Sequence, residues 1–424
     1  MSEFVITGGY VLAPDMKLKR ADVAVGSGII TQVGECQSAE QTIDAKNCIV
    51  MPGLINAHTH TPMTLLRGAC ENLMFEQWQE CIWNKEAKIT PSDVHLGSLL
   101  ACVEMIKTGT TSFADVYIHM DRAASAIKKS GLRGVLGWGV IEGFGEPLRE
   151  KLAHRRAFVR QYNNWADGRI TTMYAPHSPS TCSMEALGLL SRMSEEDNVL
   201  VTTHLLETRK EAETLKKDNC HLQCLKDTGL LSGRLLAAHS VWANDEDIKI
   251  LSQHGVSVAH NPISNMKLGV GTAPVTAMLR EHVNVCLGTD GAAPGGSMDM
   301  FASMRTAALL IRDRRQDTHL QDILKMATVN GAAALGLLAG QIKKGFLADI
   351  ILVDMKKPHL TGHDPLSALV YSATGADVKT SMVGGEVLME DYRIKKIDEE
   401  NVIERVQKWI DDCNCWSFRK LPVK

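Results

Sequence analysis

Eight short apolar runs, each followed by a stretch with helical periodicity, fill the chain between residues 51 and 338. Alternation of this kind is typical of α/β proteins with a parallel sheet. The predicted strands end about 33 residues apart on average, which suits a βαβ unit of roughly 30 or more residues. Eight such units predict a (β/α)8 TIM barrel over residues 51–338. The predicted strands are residues 49–58, 111–116, 134–140, 170–175, 199–204, 235–239, 256–260 and 283–289.

The two flanks, residues 1–50 and 339–424, carry short strand-like runs with little helix between them. Gly8-Gly9 and Gly384-Gly385 each interrupt such a run, and a Gly-Gly pair is a hairpin signal. We therefore predict that both termini contribute hairpins to one small composite β-sandwich beside the barrel. An amphipathic stretch over residues 399–409 predicts a C-terminal helix after the second half of this sandwich.

Charge and composition exclude several classes of partner. The net charge is -3, from 46 basic and 49 acidic residues, so the chain lacks the basic surface that binds nucleic acid. No run of about 18 apolar residues is present, and the first nine residues lack the features of a secretory signal. We therefore expect a soluble, cytoplasmic protein with no membrane partner. Its 11 cysteines are odd in number and widely spread, which favours reduced thiols over a disulfide framework.

Histidines and carboxylates gather at the carboxyl ends of the predicted strands, which form the catalytic face of a (β/α)8 barrel. His58 and His60 end the first strand two residues apart, so both imidazoles point to the same side. With His204 from the fifth strand and Asp290 from the eighth, they offer three nitrogens and one oxygen to one ion. This combination favours zinc, with a position left for water. Other polar residues at strand ends are His177, Glu207 and His239.

These strand-end segments resemble the amidohydrolase superfamily, within it the metal-dependent aminohydrolases of nucleosides, purines and s-triazines. The matching segments are residues 51–60, 175–178, 204–208, 238–239, 260–265 and 287–291, so the resemblance covers nearly the whole chain. Residues 61–68 and 78–86 are similar to the branch of 5-methylthioadenosine/S-adenosylhomocysteine deaminases. The resemblance also implies the composite β-sandwich built from both termini.

The resemblance implies an enzyme, a metal-dependent deaminase with one divalent ion per chain, Zn2+ or alternatively Fe2+. The implied metal ligands are His58, His60, His204 and Asp290. His239 would hydrogen-bond the attacking water, and Asp290 could accept its proton. Glu207 would carry a proton to the ring nitrogen beside the attacked carbon.

Other members of the superfamily bridge two metals with a lysine that closes the fourth strand. Here that strand closes with residues 174–177, Tyr-Ala-Pro-His, so a mononuclear site is predicted. His177 is then a hydrogen-bonding group on the substrate side or, alternatively, a structural histidine. Glu86 matches the residue that holds the ribose hydroxyls, with an exposed loop charge as the alternative. Trp78 would pack against the nucleoside, or else within the core.

Members of this branch that accept S-adenosylhomocysteine carry an arginine at the end of the third strand. Trp138 stands where that arginine would align, and Arg149 in the next segment is an alternative partner for a carboxylate. We therefore expect a substrate with an uncharged 5' substituent.

Together these features predict hydrolytic deamination of a 6-aminopurine nucleoside, with release of ammonia. The candidate substrates are 5'-methylthioadenosine, S-adenosylhomocysteine, 5'-deoxyadenosine and adenosine. One alternative is an aminohydrolase of another amino-azine, such as an s-triazine, a pterin or guanine; Glu86 favours the nucleoside because it suits a ribose. The other is a non-catalytic barrel that serves as an interaction scaffold, against which the full set of ligands and Glu207 argues. We expect a small-molecule substrate, a homo-oligomer and no nucleic-acid partner.

Overall fold

A computed structural model describes residues 3–36, 39, 41–143, 145–216, 221–314 and 319–413. In chain order the strands are β1 (Phe4–Thr7), β2 (Tyr10–Leu12), β3 (Leu18–Arg20), β4 (Asp22–Gly26), β5 (Ile29–Gly34), β6 (Gln41–Asp44), β7 (Cys48–Pro52), β8 (Leu54–Thr59), β9 (Thr110–Tyr117), β10 (Arg133–Val140), β11 (Ile170–Pro176), β12 (Leu200–Leu205), β13 (Leu235–His239), β14 (Ser257–His260), β15 (Asn284–Leu287), β16 (Ile350–Asp354), β17 (Val378–Val383), β18 (Glu386–Glu390) and β19 (Arg393–Ile394).

The helices are α1 (Phe75–Glu86), α2 (Pro91–Lys107), α3 (Met120–Ser130), α4 (Leu148–Tyr162), α5 (Met184–Asp197), α6 (Arg209–Leu215), α7 (Asp245–Gln253), α8 (Pro262–Lys267), α9 (Val275–Arg280), α10 (Ala292–Gly295), α11 (Met300–Asp313), α12 (Leu320–Met326), α13 (Val329–Ala334), α14 (Pro365–Ser367) and α15 (Glu399–Asp412). Short 3-10 turns cover Thr61–Leu66, Gln223–Thr228, Pro358–Leu360 and Gly375–Asp377, and a π turn covers Ala368–Ser372.

The predicted barrel is confirmed, because β8 to β15 lie side by side in chain order and pair in parallel. Strand β9 is buried along its whole length, as expected for a parallel strand whose outer face is covered by helices. Helix α2 begins at a capping box. The Thr90 hydroxyl accepts a hydrogen bond from the backbone N–H of Asp93, and the backbone N–H of Thr90 donates to the Asp93 carboxylate. The carboxyl ends of all eight strands therefore meet at one mouth.

The predicted first barrel strand, residues 49–58, is in fact two strands. Strand β7 pairs with β16 and β2 in a terminal sheet, whereas β8 begins the barrel. Gly53 separates them, and a Cβ at this position would lie 2.1 Å from Thr111 Oγ1. A continuous apolar run does not reveal which of two sheets each half joins, which explains the error.

The two terminal segments build a pair of sheets beside the barrel. The smaller has the strand order β5-β4-β1-β6, and the larger has the order β19-β18-β17-β16-β7-β2-β3. Their shared core includes Ile6 and Val25 from the smaller sheet and Val50, Leu352 and Met382 from the larger. Strands from both ends of the chain thus enclose one apolar layer, as the fold prediction required.

Of the two predicted Gly-Gly hairpins, one is confirmed and one is wrong. Residues 384–385 connect β17 to β18, where Val383 pairs with Glu386. At Gly8-Gly9 the chain instead crosses from β1 in the smaller sheet to β2 in the larger one. Gly9 passes so close to Val50 that a Cβ would lie 2.9 Å from its side chain, so the glycine serves a close approach and not a turn.

The expectation of reduced thiols is wrong for one pair of cysteines. Cys70 and Cys81 form a disulfide, with 6.1 Å between their Cα atoms, which joins the segment after the 3-10 turn Thr61–Leu66 to helix α1. Cys36, Cys48, Cys102, Cys182 and Cys286 are free thiols. Cys220 and Cys415 lie outside the described residues.

No helix in the described ranges combines the length and apolar character needed to cross a membrane. The domain limits 1–50, 51–338 and 339–424, the cytoplasmic location and the homo-oligomeric state stay predictions.

Asp349 ties the barrel to the larger terminal sheet. Its buried carboxylate accepts hydrogen bonds from Arg133 Nε at 3.0 Å and from the backbone N–H of Gly384 at 2.7 Å. Asp349→Ala would leave the buried Arg133 guanidinium unpaired, so we expect the free energy of unfolding to fall by about 3–5 kcal/mol. Urea denaturation measures this loss. Lys249→Ala, which breaks an exposed pair with Glu246, should change stability little, and equal stability of both variants would contradict the prediction.

Candidate active site

A cavity of about 630 Å³ opens at the carboxyl ends of the barrel strands. Its volume lies within the range of small-molecule sites, roughly 300–1,000 Å³. The ionisable residues that line it include His60, Glu86, Tyr117, His177, His204, Glu207, His239 and Asp290. Trp78 also lines the cavity, and His58 packs edge-on against His60 with 4.8 Å between ring centroids. The structure therefore brings all the sequence-predicted site residues to one place.

The predicted ligand atoms have the spacing that one small ion needs. Ligand atoms at 2.0–2.1 Å from a tetrahedral ion lie about 3.3–3.4 Å apart. His60 Nε2 is 3.3 Å from His204 Nε2 and 3.3 Å from Asp290 Oδ1. His58 Nε2 is 3.8 Å from the same Asp290 oxygen and has no hydrogen-bond partner among the described residues, although it is buried. A buried, unsatisfied nitrogen beside this cluster fits a metal ligand.

Backbone carbonyls fix the orientation of two of the imidazoles. His60 Nδ1 lies 2.6 Å from the carbonyl of Val116, and His204 Nδ1 lies 2.7 Å from the carbonyl of His177. A carbonyl only accepts, so each Nδ1 carries the hydrogen and each Nε2 keeps its lone pair for the cluster.

The electrostatic surroundings keep His58 and His204 neutral. Burial, reinforced by the neighbouring histidines, holds the pKa of His58 and of His204 well below the usual range. Metal binding requires the neutral imidazole, because only that form has a free lone pair. His58 and His204 therefore have the protonation state that metal ligands need.

Asp290 is held firmly although its backbone lies in the left-handed region, with φ of +62°. Its Oδ1 accepts the N–H of Gly291 at 2.7 Å, and its Oδ2 accepts the hydroxyl of Ser264 at 2.6 Å. Its own N–H donates to the carbonyl of His58 at 3.0 Å. The carboxylate is thus fixed beside the histidines of the first barrel strand.

Glu207 and His239 form a second buried pair next to this cluster. Glu207 Oε1 lies 3.7 Å from His239 Nδ1, which in turn lies 2.8 Å from Asn265 Oδ1. Burial raises the pKa of Glu207. Burial alone would lower the pKa of His239, but the carboxylates of Glu207 and Asp290 outweigh it and raise that pKa. Such shifts are typical of groups that exchange protons.

The sequence analysis assigned no role to Ser264 or Asn265, although both belong to the matching segment 260–265. In the structure Ser264 donates to Asp290, and Asn265 accepts from His239 if that nitrogen carries the hydrogen. In the sequence, the only indication of such a role is that both residues are polar and follow a barrel strand closely.

Helix α1 lines one side of the cavity. Four of its lining residues share one helix face, because three of them follow the first by four, five and eight residues. They are Trp78, Ile82, Trp83 and Glu86. Glu86 is not an exposed loop charge: burial raises its pKa, and its buried Oε1 has no hydrogen-bond partner among the described residues. This oxygen can accept a hydrogen bond from a bound ligand.

His177 presents one nitrogen to the cavity. Its Nδ1 lies 2.9 Å from the Thr181 hydroxyl, and burial, aided by His60 and His239, lowers its pKa to about 4. The imidazole is therefore neutral and can form a hydrogen bond with an uncharged ring. The described lining residues include neither lysine nor arginine.

Trp138 faces helix α4 and not the cavity. Its ring packs edge-on against Phe158 with 5.5 Å between centroids, and the Arg155 guanidinium lies 4.8 Å from its centre. Gly139 lines the cavity instead, as the alternation of a strand requires. The prediction that Trp138 takes the place of a carboxylate-binding arginine is therefore wrong. Arg149 is exposed in the first turn of α4.

Curated relatives match nearly the whole chain. The 5'-deoxyadenosine deaminase of Methanosarcina mazei is 48% identical over 96% of this chain and 98% of its own length. The 5-methylthioadenosine/S-adenosylhomocysteine deaminase of Pyrococcus abyssi is 41% identical over 95% of this chain and 97% of its own length.

Solved structures also match. An adenosine deaminase from Xanthomonas campestris with bound zinc has a TM-score of 0.93 at 30% identity, over 97% of this chain and 99% of that chain. Atrazine chlorohydrolase from Arthrobacter aurescens, complexed with zinc, has a TM-score of 0.89 at 24% identity, over 96% of this chain and 100% of that chain, and shares the fold. The sequence profile of the Amidohydrolase family matches residues 49–388. With most of the chain matched in this way, the protein belongs to the amidohydrolase family.

Proposed function

We propose that this chain catalyses the hydrolytic deamination of a 6-aminopurine nucleoside to the inosine analogue and ammonia. The observation that carries the proposal is the cavity, where ligands for one ion, a proton-exchanging carboxyl group and an apolar wall meet. Deamination of an adenosine derivative is also the activity named for relatives at 41% and 48% identity.

His58, His60, His204 and Asp290 would hold one divalent ion, and we propose zinc over iron. Three nitrogens and one oxygen at these spacings suit zinc, which can take a fifth ligand such as water. When bound, such an ion supplies Lewis acidity, which lets water lose a proton near neutral pH.

The proton transfers fall to Glu207 and Asp290. Glu207 gives a proton to the ring nitrogen beside the attacked carbon, which relieves the charge that builds as the ring loses aromaticity. Its raised pKa lets this carboxyl group hold a proton closer to neutral pH. Asp290 accepts one proton of the attacking water and delivers it to the departing amino group, which leaves as ammonia, and the second water proton restores the Glu207 carboxyl group. His239, with Nδ1 on Asn265, directs Nε2 to within 3.9 Å of Asp290 Oδ2, where it can hydrogen-bond that water.

The nucleoside binds through groups on the remaining walls. The Glu86 carboxylate accepts hydrogen bonds from the ribose hydroxyls, and His177 hydrogen-bonds the purine. Trp78 packs against the nucleoside with its ring face. The 5' substituent then meets a wall in which Ile118, Gly139 and Ile141 carry no charge.

The first prediction from this proposed function concerns metal content. We expect elemental analysis of the purified protein to return about one divalent ion per chain, with zinc as the main element. Chelation should abolish turnover, and added zinc should restore it. Two tightly held ions per chain would contradict a mononuclear site.

The second prediction concerns Glu207. Glu207→Gln should lower kcat by roughly 10²- to 10⁴-fold, because the amide cannot transfer the proton, while metal content stays unchanged. Glu213→Gln, at an exposed position four residues along helix α6 from Arg209, is the matched control and should keep full activity. If Glu207→Gln retained the wild-type kcat, this residue would have no part in the proton transfer.

The third prediction concerns the 5' substituent. A carboxylate gains about 1.5–3 kcal/mol from a charged hydrogen-bond partner. Compared with a site that carries such an arginine, this cavity should therefore have a kcat/KM for S-adenosylhomocysteine that is about 10- to 150-fold lower. We therefore expect 5'-deoxyadenosine, 5'-methylthioadenosine and adenosine to be the better substrates. Ammonia release from each nucleoside, with guanine and a triazine in the same panel, measures the preference. A preference for S-adenosylhomocysteine that Arg149→Ala abolishes would show that Arg149 reaches the carboxylate.

A further inference from the structure

The turn that carries Glu207 is held from the next helix by a second, buried glutamate. Glu211 lies on helix α6, and its Oε1 accepts the backbone N–H of Leu206 at 2.9 Å. Its Oε2 accepts the backbone N–H of Glu207 at 3.2 Å. Both oxygens of this carboxylate are therefore used by two successive backbone donors. The residue is only 7% exposed, and it is not among the described residues that line the cavity.

This turn needs support because it contains a strained residue. Leu206 has φ of +52°, in the left-handed region that side chains other than glycine rarely adopt. The reversal comes directly after strand β12 and turns the chain so that Glu207 lines the cavity three residues after His204. On its other side, the carbonyl of Leu206 accepts the N–H of Trp242 at 2.9 Å.

Glu211 is not acting as an ordinary helix cap. In a capping box, the glutamate at the third helical position binds the backbone N–H of the capping residue, here Thr208. Glu211 occupies that third position, and Thr208 does cap its N–H at 3.1 Å. However, the Glu211 carboxylate does not bind the N–H of Thr208 but the N–H groups of Glu207 and Leu206, which precede it in the chain.

The carboxyl group also stands in an unfavourable place for a group with a purely structural task. Burial raises the pKa of Glu211 to about 7, although the two backbone donors oppose the rise. A glutamine or an alanine at this position would avoid the cost of burying a carboxylate. Two adjacent N–H donors, however, need two acceptor oxygens on one planar group, and an amide supplies only one.

We infer that Glu211 is a positioning residue, whose carboxylate fixes the Leu206–Glu207 turn and so places the proton-carrying side chain of Glu207 against the substrate. The inference rests on the role proposed for Glu207. It predicts that the two residues act as one unit, so that loss of Glu211 matters only while Glu207 can transfer a proton.

The test is a double-mutant cycle measured on 5'-deoxyadenosine. Glu211→Gln should lower kcat by about 10- to 100-fold, because a misplacement of the order of 1 Å at a reacting group has effects of this size. KM and metal content should change little. In the Glu207→Gln background, adding Glu211→Gln should slow the enzyme by less than about threefold. Glu213→Gln, on the same helix but exposed, is the control and should leave kcat unchanged.

Other outcomes separate the two hypotheses. If Glu211→Gln lowers kcat by the same factor in both backgrounds, or not at all while Glu207→Gln is slow, the positioning role is overturned and the proposed function stands. If Glu207→Gln is fully active, the proposed proton carrier fails. Should Glu211→Gln not fold, Glu211→Asp replaces it in the cycle, since its shorter side chain keeps both oxygens. We expect it to lower kcat less, again only in the presence of Glu207.

Discussion

The side-chain amide of Asn56 binds Thr289 twice: Nδ2 donates to the threonine hydroxyl at 2.7 Å, and Oδ1 accepts the Thr289 N–H at 3.0 Å. Together with the bond from the Asp290 N–H to the His58 carbonyl, this contact closes the barrel between β15 and β8, two described strands that share no ladder. The approach is so close that a Cβ at Gly288 would lie 3.0 Å from the His58 carbonyl oxygen. Asp290 reaches the histidines of the first strand only because this seam is closed.

Strained backbone at the strand ends turns the reactive side chains into the mouth. Leu206, His239, Ser240 and Asp290 all have positive φ, between +47° and +74°. A left-handed residue other than glycine costs about 1–2 kcal/mol, so each must be held by its surroundings. The Ser240 N–H donates to the carbonyl of Leu205, and the Asp290 N–H donates across the seam. At Asp290, the hydrogen bond that closes the barrel therefore also holds the strained residue in place.

The sequence was sufficient to predict the barrel and the convergence of the candidate ligands at its mouth, because the positions of strand ends follow from local periodicity. His58 and His60 are two residues apart on a strand, and strand ends of a parallel barrel must meet. By contrast, the split at Gly53 and the crossover at Gly8-Gly9 depend on long-range pairing, which a short run of residues does not encode. Trp138 was predicted to lie at the substrate site. Because Gly139 faces the cavity, the alternation of side chains along the strand makes its neighbour Trp138 face away from it. The roles of Ser264, Asn265 and Glu211 depend on partners that only the folded chain brings near.

The two carboxyl groups proposed to transfer protons, Asp290 and Glu207, differ in their surroundings, and the difference favours their separate tasks. Asp290 accepts hydrogen bonds at both oxygens, from Gly291 and Ser264. Glu207 has its pKa raised by burial, and its 3.7 Å approach to His239 is too long for a hydrogen bond. Asp290 is thus suited to act as the base, and Glu207, whose protonated form is favoured by burial, is suited to act as the acid. Deamination needs this separation, because one proton must leave the water while another reaches the ring.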